Sequence, residues 1–166
     1  MTKQLTSIFL ASIFLASCGI YSFTGASIPA DAKTVSVTYF TTKATNTPAT
    51  LNQTLTEGLR DLFINQTNLN LTERDADLSF NGQITKYQVK PMAIKANETA
   101  GKNRLTIAIK VKYNNSFNEK QNFESTFSRY RDFNSSENLA DVEEILIEEI
   151  TKELLEDVYN KAFVNW

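Results

Sequence analysis

The sequence predicts an α+β fold: a two-layer sandwich in which two helices cover one face of a four-stranded mixed sheet, in the order β-α-β-β-β-α. Three patterns carry this expectation. Residues 104–113 alternate, with Leu105, Ile107, Ile109, Val111 and Tyr113 on one side and Arg104, Thr106, Ala108, Lys110 and Lys112 on the other, which is the period of a half-buried strand. Val142, Leu146, Ile150, Leu154, Val158 and Ala162 recur every four residues, the stripe of an amphipathic helix over 139–163. Strands with one apolar face and two such helices bury those surfaces against each other as two layers.

The remaining elements follow in order. Residues 33–40 alternate, with Val35, Val37 and Tyr39 on the apolar face, and predict the first strand. Residues 41–47 predict a Thr/Asn loop ending in Thr47-Pro48, a cap and a favoured first helical residue. Leu51, Leu55, Leu59, Leu62 and Phe63 form the stripe of a helix over 50–65. Gly58 lies inside it, weakening the helix but permitting close packing. Residues 69–76 are polar except Leu69 and Leu71 and allow a short extended piece. Residues 77–91 predict a second strand with Leu78, Phe80 and Ile84 on one side. The pattern slips near Lys86, after which Tyr87 and Val89 take the buried side, as at a β-bulge. Pro91 should stop the ladder, because it has no N–H. After the long connection 92–102 and the strand 104–113, Asn114-Asn115-Ser116 makes a turn. In the last strand, 119–133, Arg129 and Arg131 interrupt the Phe123, Phe127 and Phe133 face, so its end is expected to bend out. Asn134-Ser135-Ser136 breaks that strand and offers caps to the last helix, whose polar face carries Glu144, Glu148, Lys152 and Glu156.

Ahead of the domain, Lys3, the apolar stretch Leu5 to Leu15 and the small residues Ala16 and Ser17 have the order of a secretory signal peptide. The apolar run is far shorter than the ~20 residues of a membrane span. Cys18 is the only cysteine, so no disulfide forms within the chain. A lone thiol in an exported protein is a reactive liability. Leu15-Ala16-Ser17-Cys18-Gly19 resembles the lipobox of bacterial lipoproteins. That resemblance implies a diacylglyceryl thioether on Cys18, cleavage before it, and acylation of the new amino group. The alternative is an ordinary signal peptide with an unmodified cysteine. Several acyl chains hold a protein firmly to a bilayer, so the mature chain is expected to be anchored to a membrane and not to span it. The expected organisation is signal peptide 1–17, lipidated N-terminus and tether 18–32, and one domain over 33–166.

Composition excludes several functions. The net charge of −2 argues against a general nucleic-acid binder. Histidine is absent, which removes the usual catalytic base and the commonest metal ligand. No cofactor and no metal are expected. Neighbouring acids such as Glu143 and Glu144 do not face each other on a helix, and Ser79, Ser125 and Ser128 lack a nucleophile-elbow context, so catalysis is not expected.

Charge is segregated along the chain. Lys86, Lys90, Lys95, Lys102, Arg104, Lys110 and Lys112 face only Glu98 over residues 86–112, while 137–157 carries nine acidic residues against Lys152. Both runs read as solvated faces. The basic hairpin also reads as a site for phosphate-bearing ligands, with Arg as a bidentate fork and Lys as point charges.

Several motifs together resemble one family. Cys18-Gly19-Ile20-Tyr21-Ser22-Phe23 follows the lipobox; then come Ala76-Asp77-Leu78, Gly82-Gln83-Ile84-Thr85-Lys86-Tyr87 with Pro91, Asn103-Arg104-Leu105-Thr106-Ile107, and Phe127-Ser128-Arg129-Tyr130-Arg131-Asp132-Phe133. In this order they resemble the LptE lipopolysaccharide-assembly lipoproteins, in a short divergent branch. The resemblance implies a non-enzymatic, periplasm-facing lipoprotein of the outer membrane. It also implies a plug and assembly partner for the LptD β-barrel that binds lipopolysaccharide, with the basic residues above as candidate contacts. Two other readings stand beside it: an adaptor or binding module of another envelope complex, and a small lipid-modifying enzyme, which the missing histidine disfavours.

Overall fold

The computed structural model describes residues 28–93 and 101–164. The strands are β1 (Thr34–Val37), β2 (Thr41–Thr42), β3 (Asn70–Leu71), β4 (Leu78–Met92), β5 (Lys102–Asn115) and β6 (Phe123–Asn134). The helices are α1 (Ala49–Gln66) and α2 (Leu139–Phe163). All six strands form one sheet in the order β3-β1-β4-β5-β6, with β2 also paired to β4. The expected four-stranded sheet is therefore wrong. The extra strands are two residues each and exposed, too short to show an alternation. Residues 41–42, expected in a loop, pair parallel to Gln83–Ile84, and residues 70–71 pair parallel to Thr34–Val35. The β1–β4 pairing is parallel, whereas β4, β5 and β6 form a long antiparallel meander.

The first expected strand, 33–40, breaks after Val37. Tyr39 is exposed and Phe40 is fully buried, the reverse of the alternation. The break shifts the chain by one residue, so that Phe40 and not Tyr39 reaches the core. There the Phe40 ring covers Gly82, where a Cβ would stand 2.2–2.4 Å from three ring atoms. Two α1 side chains hold the kink. The Phe40 amide donates to Thr56 Oγ1 (3.0 Å), and Asn52 Nδ2 donates to the Phe40 carbonyl (2.6 Å).

Both helices pack on one face of the sheet, over Leu78, Phe80, Ile84 and the five apolar residues of β5, all fully buried. Close approach of the helices is paid for at Gly58, where a Cβ would lie 2.7 Å from Leu155 Cδ1. Phe63, Phe80, Tyr113 and Phe163 form an aromatic cluster beneath the helix C-termini. The expected caps are elsewhere. Pro48 occupies the N-cap position of α1 without a side-chain bond, and Thr47 Oγ1 instead donates to the Ala44 carbonyl. Asn138 caps α2.

The β4–β5 register shifts between Ile84 and Lys86, where the sequence pattern slips. Beyond it Tyr87 is half-buried, but Val89 is exposed, because β4 here outruns the helices. Pairing passes Pro91 and ends at Met92. The end of β6 does not bend out: Phe133 is buried, and the arginines find partners on α2. Arg129 binds Asp157 in bidentate fashion (2.7 and 2.6 Å), and Arg131 bridges Glu149 (2.7 Å) and Glu153 (2.5 Å). Tyr87 hydroxyl donates to Glu143 near the start of α2, so its pKa is raised by burial and by that carboxylate.

Candidate anion-binding face

The bulge after Ile84 decides which lysines share a face. Before it, the even-numbered residues Leu78, Phe80 and Ile84 point at the helices; after it, Lys86, Gln88 and Lys90 pair with Ala108, Thr106 and Arg104. Directly paired residues share a face, and this is the face opposite the helices. Without the extra residue, Lys86 and Lys90 would turn toward α2.

The open face is organised in rows across β4, β5 and β6. At its far end, Met92, Lys102 and Asn134 form one row, and Lys90, Arg104 and Asp132 the next. Gln88, Thr106 and Tyr130 follow, then Lys86, Ala108 and Ser128. Gln83, Lys110 and Thr126, and then Asn81, Lys112 and Glu124, lie further along. Arg104 and Lys110 are about 20 Å apart along the strand at ~3.3 Å per residue.

These cations are not equivalent. Arg104 grips Asp132 through two bonds of 2.7 and 2.9 Å, and its guanidinium carbon sits over the Tyr130 ring, 3.6 Å from the centroid. The arginine fork holds the Asp132 carboxyl below its ordinary pKa, with Lys102 adding to the effect. Lys110 pairs with Glu124, whose pKa is lowered chiefly by that bond and further by Lys112. Lys86, Lys90, Lys102 and Lys112 are exposed and form no ion pair among the described residues. Three of these four lysines thus lie toward the far end, around the Arg104–Tyr130 pair, with Lys112 at the other end of the face. Sequence reasoning missed Tyr130 and Asp132; their signal was the even-numbered register they share with Glu124 on β6. Cys18 and Lys95 lie outside the described residues.

Among the described residues, no group of three His, Cys, Asp or Glu side chains is placed to hold a metal ion. No helix there is long and apolar enough to cross a membrane.

A mixed sheet with two helices on one face is a fold seen in solved structures. The hypothetical protein CT253 from Chlamydia trachomatis is 8% identical, with a TM-score of 0.53 over 81% of this chain and 99% of that one. Protein XCC0632 from Xanthomonas campestris is 10% identical, with a TM-score of 0.51 over 81% of this chain and 87% of that one. A minor lipoprotein from Acinetobacter baumannii is 12% identical, with a TM-score of 0.49 over 80% and 96% of the two chains. At these identities the likeness is one of fold alone. No curated protein matches the chain. The family model LptE, described as lipopolysaccharide-assembly, matches residues 32–162, and the chain belongs to that family. The resemblance drawn from the ordered motifs is thereby borne out. LptE-family lipoproteins are non-catalytic, and this one is lipid-anchored in the outer membrane, facing the periplasm.

Proposed function

We propose that this chain is the plug and assembly partner of an LptD-type β-barrel and assists delivery of lipopolysaccharide to the cell surface. Residues 1–17 are its signal peptide, Cys18 its lipid attachment site, 18–32 the tether and 33–166 the working domain. The lipopolysaccharide contact is the far end of the open face. Lys86, Lys90 and Lys102, with Lys95 on the connection after β4, meet the anionic groups, Arg104 and Tyr130 form the floor, and Lys110 and Lys112 extend the basic face about 20 Å along β5. The observation that carries this reading is the grouping of unpaired lysines around one stacked arginine on a helix-free face. Each exposed contact contributes on the order of 0–1 kcal/mol and weakens with salt, so recognition needs several together.

The test is binding of purified lipopolysaccharide by the full-length protein and by a Lys86→Gln, Lys90→Gln, Lys102→Gln variant, at low and high salt. These lysines are the ones to remove, because reversing Arg104 or Lys110 would set new carboxylates against Asp132 and Glu124. Weaker binding with a flatter salt dependence is expected. Equal binding rules out the far end as the site. Co-purification with a large outer-membrane β-barrel tests the partner; capture of a different envelope complex favours the adaptor reading.

A further inference from the structure

The turn joining β5 to β6 holds one aromatic side chain out in solvent. Residues 114–122 are polar except for Phe117, which is 50% exposed. The turn is tightly wired. Asn115 is buried, and its Oδ1 accepts the amides of Phe117 (2.9 Å) and Asn118 (3.2 Å) while its Nδ2 donates to Gln121 Oε1 (2.7 Å). Asn122 Oδ1 accepts the Asn115 amide (2.7 Å), and Asn118 Oδ1 accepts that of Lys120 (3.2 Å). A buried amide with all these partners fixes the backbone on both sides of Phe117, so the ring is presented on a rigid support.

Its position is the second observation. The Asp77 carboxylate accepts the amides of Lys33 (2.9 Å) and Thr34 (3.0 Å), where the chain enters the sheet. The Asp77 carbonyl accepts the amide of Ser116 (2.9 Å), the residue before Phe117. One residue thus ties the aromatic turn to the point of chain entry. Met92 and Lys102 lie at the other end of β4 and β5, about 45 Å away at ~3.3 Å per residue. Only nine residues separate Ile28 from Cys18, ten Cα–Cα steps with a reach of at most about 36 Å when fully extended, and the Pro29–Ala32 turn keeps Ile28 close to Lys33. In a lipid-anchored protein the tether therefore joins the domain at this end, which is the one nearer the anchor along the chain.

We propose that the Phe117 turn docks on the phospholipid leaflet that carries the anchor. The Phe117 ring enters the boundary between headgroups and acyl chains, and Lys120 extends its ammonium to the lipid phosphates. Two contacts on one end, the acyl chains and this ring, orient the domain, directing Lys90 and Lys102 away from that leaflet. The inference requires the lipid anchor but not the lipopolysaccharide reading.

The test uses the full-length lipoprotein in phosphatidylcholine vesicles, without lipopolysaccharide. Trp166→Phe removes the only tryptophan, and Phe117→Trp then places an indole on the turn. Its emission should shift to the blue and be lost when the upper acyl chains are brominated. Tyr130→Trp in the same background, at the far end, should keep water-like, unquenched emission. Water-like, unquenched emission at position 117 overturns the proposal, and so does equal quenching at both positions. Phe117→Ser should leave the melting temperature unchanged; a lowered one would make the ring part of the core and also overturn it.

Discussion

Gly82→Ala should unfold the β1–β2 kink through a single side chain, Phe40. The new methyl carbon would stand 2.2–2.4 Å from three atoms of a ring with no exposed surface. The ring cannot swing aside cheaply, because Thr56 and Asn52 hold the amide and carbonyl of the same residue. Expelling it forfeits about 1.5–3 kcal/mol of burial and about 1 kcal/mol for each of the two hydrogen bonds. Gly82→Ala should therefore destabilise by about 3–5 kcal/mol. Phe40→Ala alone should cost a similar amount, about 3–5 kcal/mol. In that background the methyl has room, and Gly82→Ala should be neutral or stabilising by about 0.5–1 kcal/mol, since glycine weakens a strand interior. The cycle then shows a coupling of about 3–6 kcal/mol, at or above the upper end for residues in contact. Urea titrations of wild type, both single variants and the double variant, followed by far-ultraviolet circular dichroism, measure it. A Gly82→Ala protein as stable as wild type, or two costs that simply add, refutes the reasoning.

Arg131 holds the Glu153 carboxyl below its ordinary value of 4.5. A depressed carboxylate contributes fully above its unfolded-state pKa and loses that contribution as pH falls through the lower folded-state value. Arg131→Met should lower stability at neutral pH and flatten the acid limb below about pH 4.5; an acid limb of unchanged slope in thermal melts counts against the pairing. Asp132→Asn should release Arg104 from its fork and tighten lipopolysaccharide binding at low salt, an effect that unchanged affinity would disprove. Cys18→Ala should yield an uncleaved or soluble periplasmic protein, and mass spectrometry finding an unlipidated mature N-terminus in the wild type would contradict the anchor.

What the sequence revealed follows from element length and from what each side chain touches. Residues 104–113 and 139–163 were legible because their apolar stripes run unbroken over many residues, and the slip near Lys86 was visible because long alternations flank it. Thr41–Thr42 was not, because a two-residue strand has no period, and Asn70–Leu71 was legible only as a short extended piece within 69–76. Tyr39 and Phe40 exchanged roles through one residue of backbone irregularity, which a strict alternation cannot express. Arg129 and Arg131 looked out of place on an apolar face only because their partners, Glu149, Glu153 and Asp157, lie on an element closer to the C-terminus. The basic run was obvious as composition. That Arg104 and Lys110 are already neutralised while Lys86, Lys90 and Lys102 are not depends on cross-strand neighbours, which only the register supplies.

The parallel pairing of β1 with β4 also sets an order of events during biogenesis. Thr34 and Asp77 meet across 43 positions of sequence, whereas β4 and β5 are joined by nine residues and β5 and β6 by seven. Loop-closure entropy delays distant pairings relative to local ones. The meander can therefore form first, and β1, the strand nearest the tether, zips in last. An exported chain delivers its N-terminus before its partner strand, so β1 waits unpaired until residue 80 has crossed the inner membrane. Between closure of the meander and the addition of β1, the domain has an open edge at β4, the surface on which a periplasmic chaperone would act.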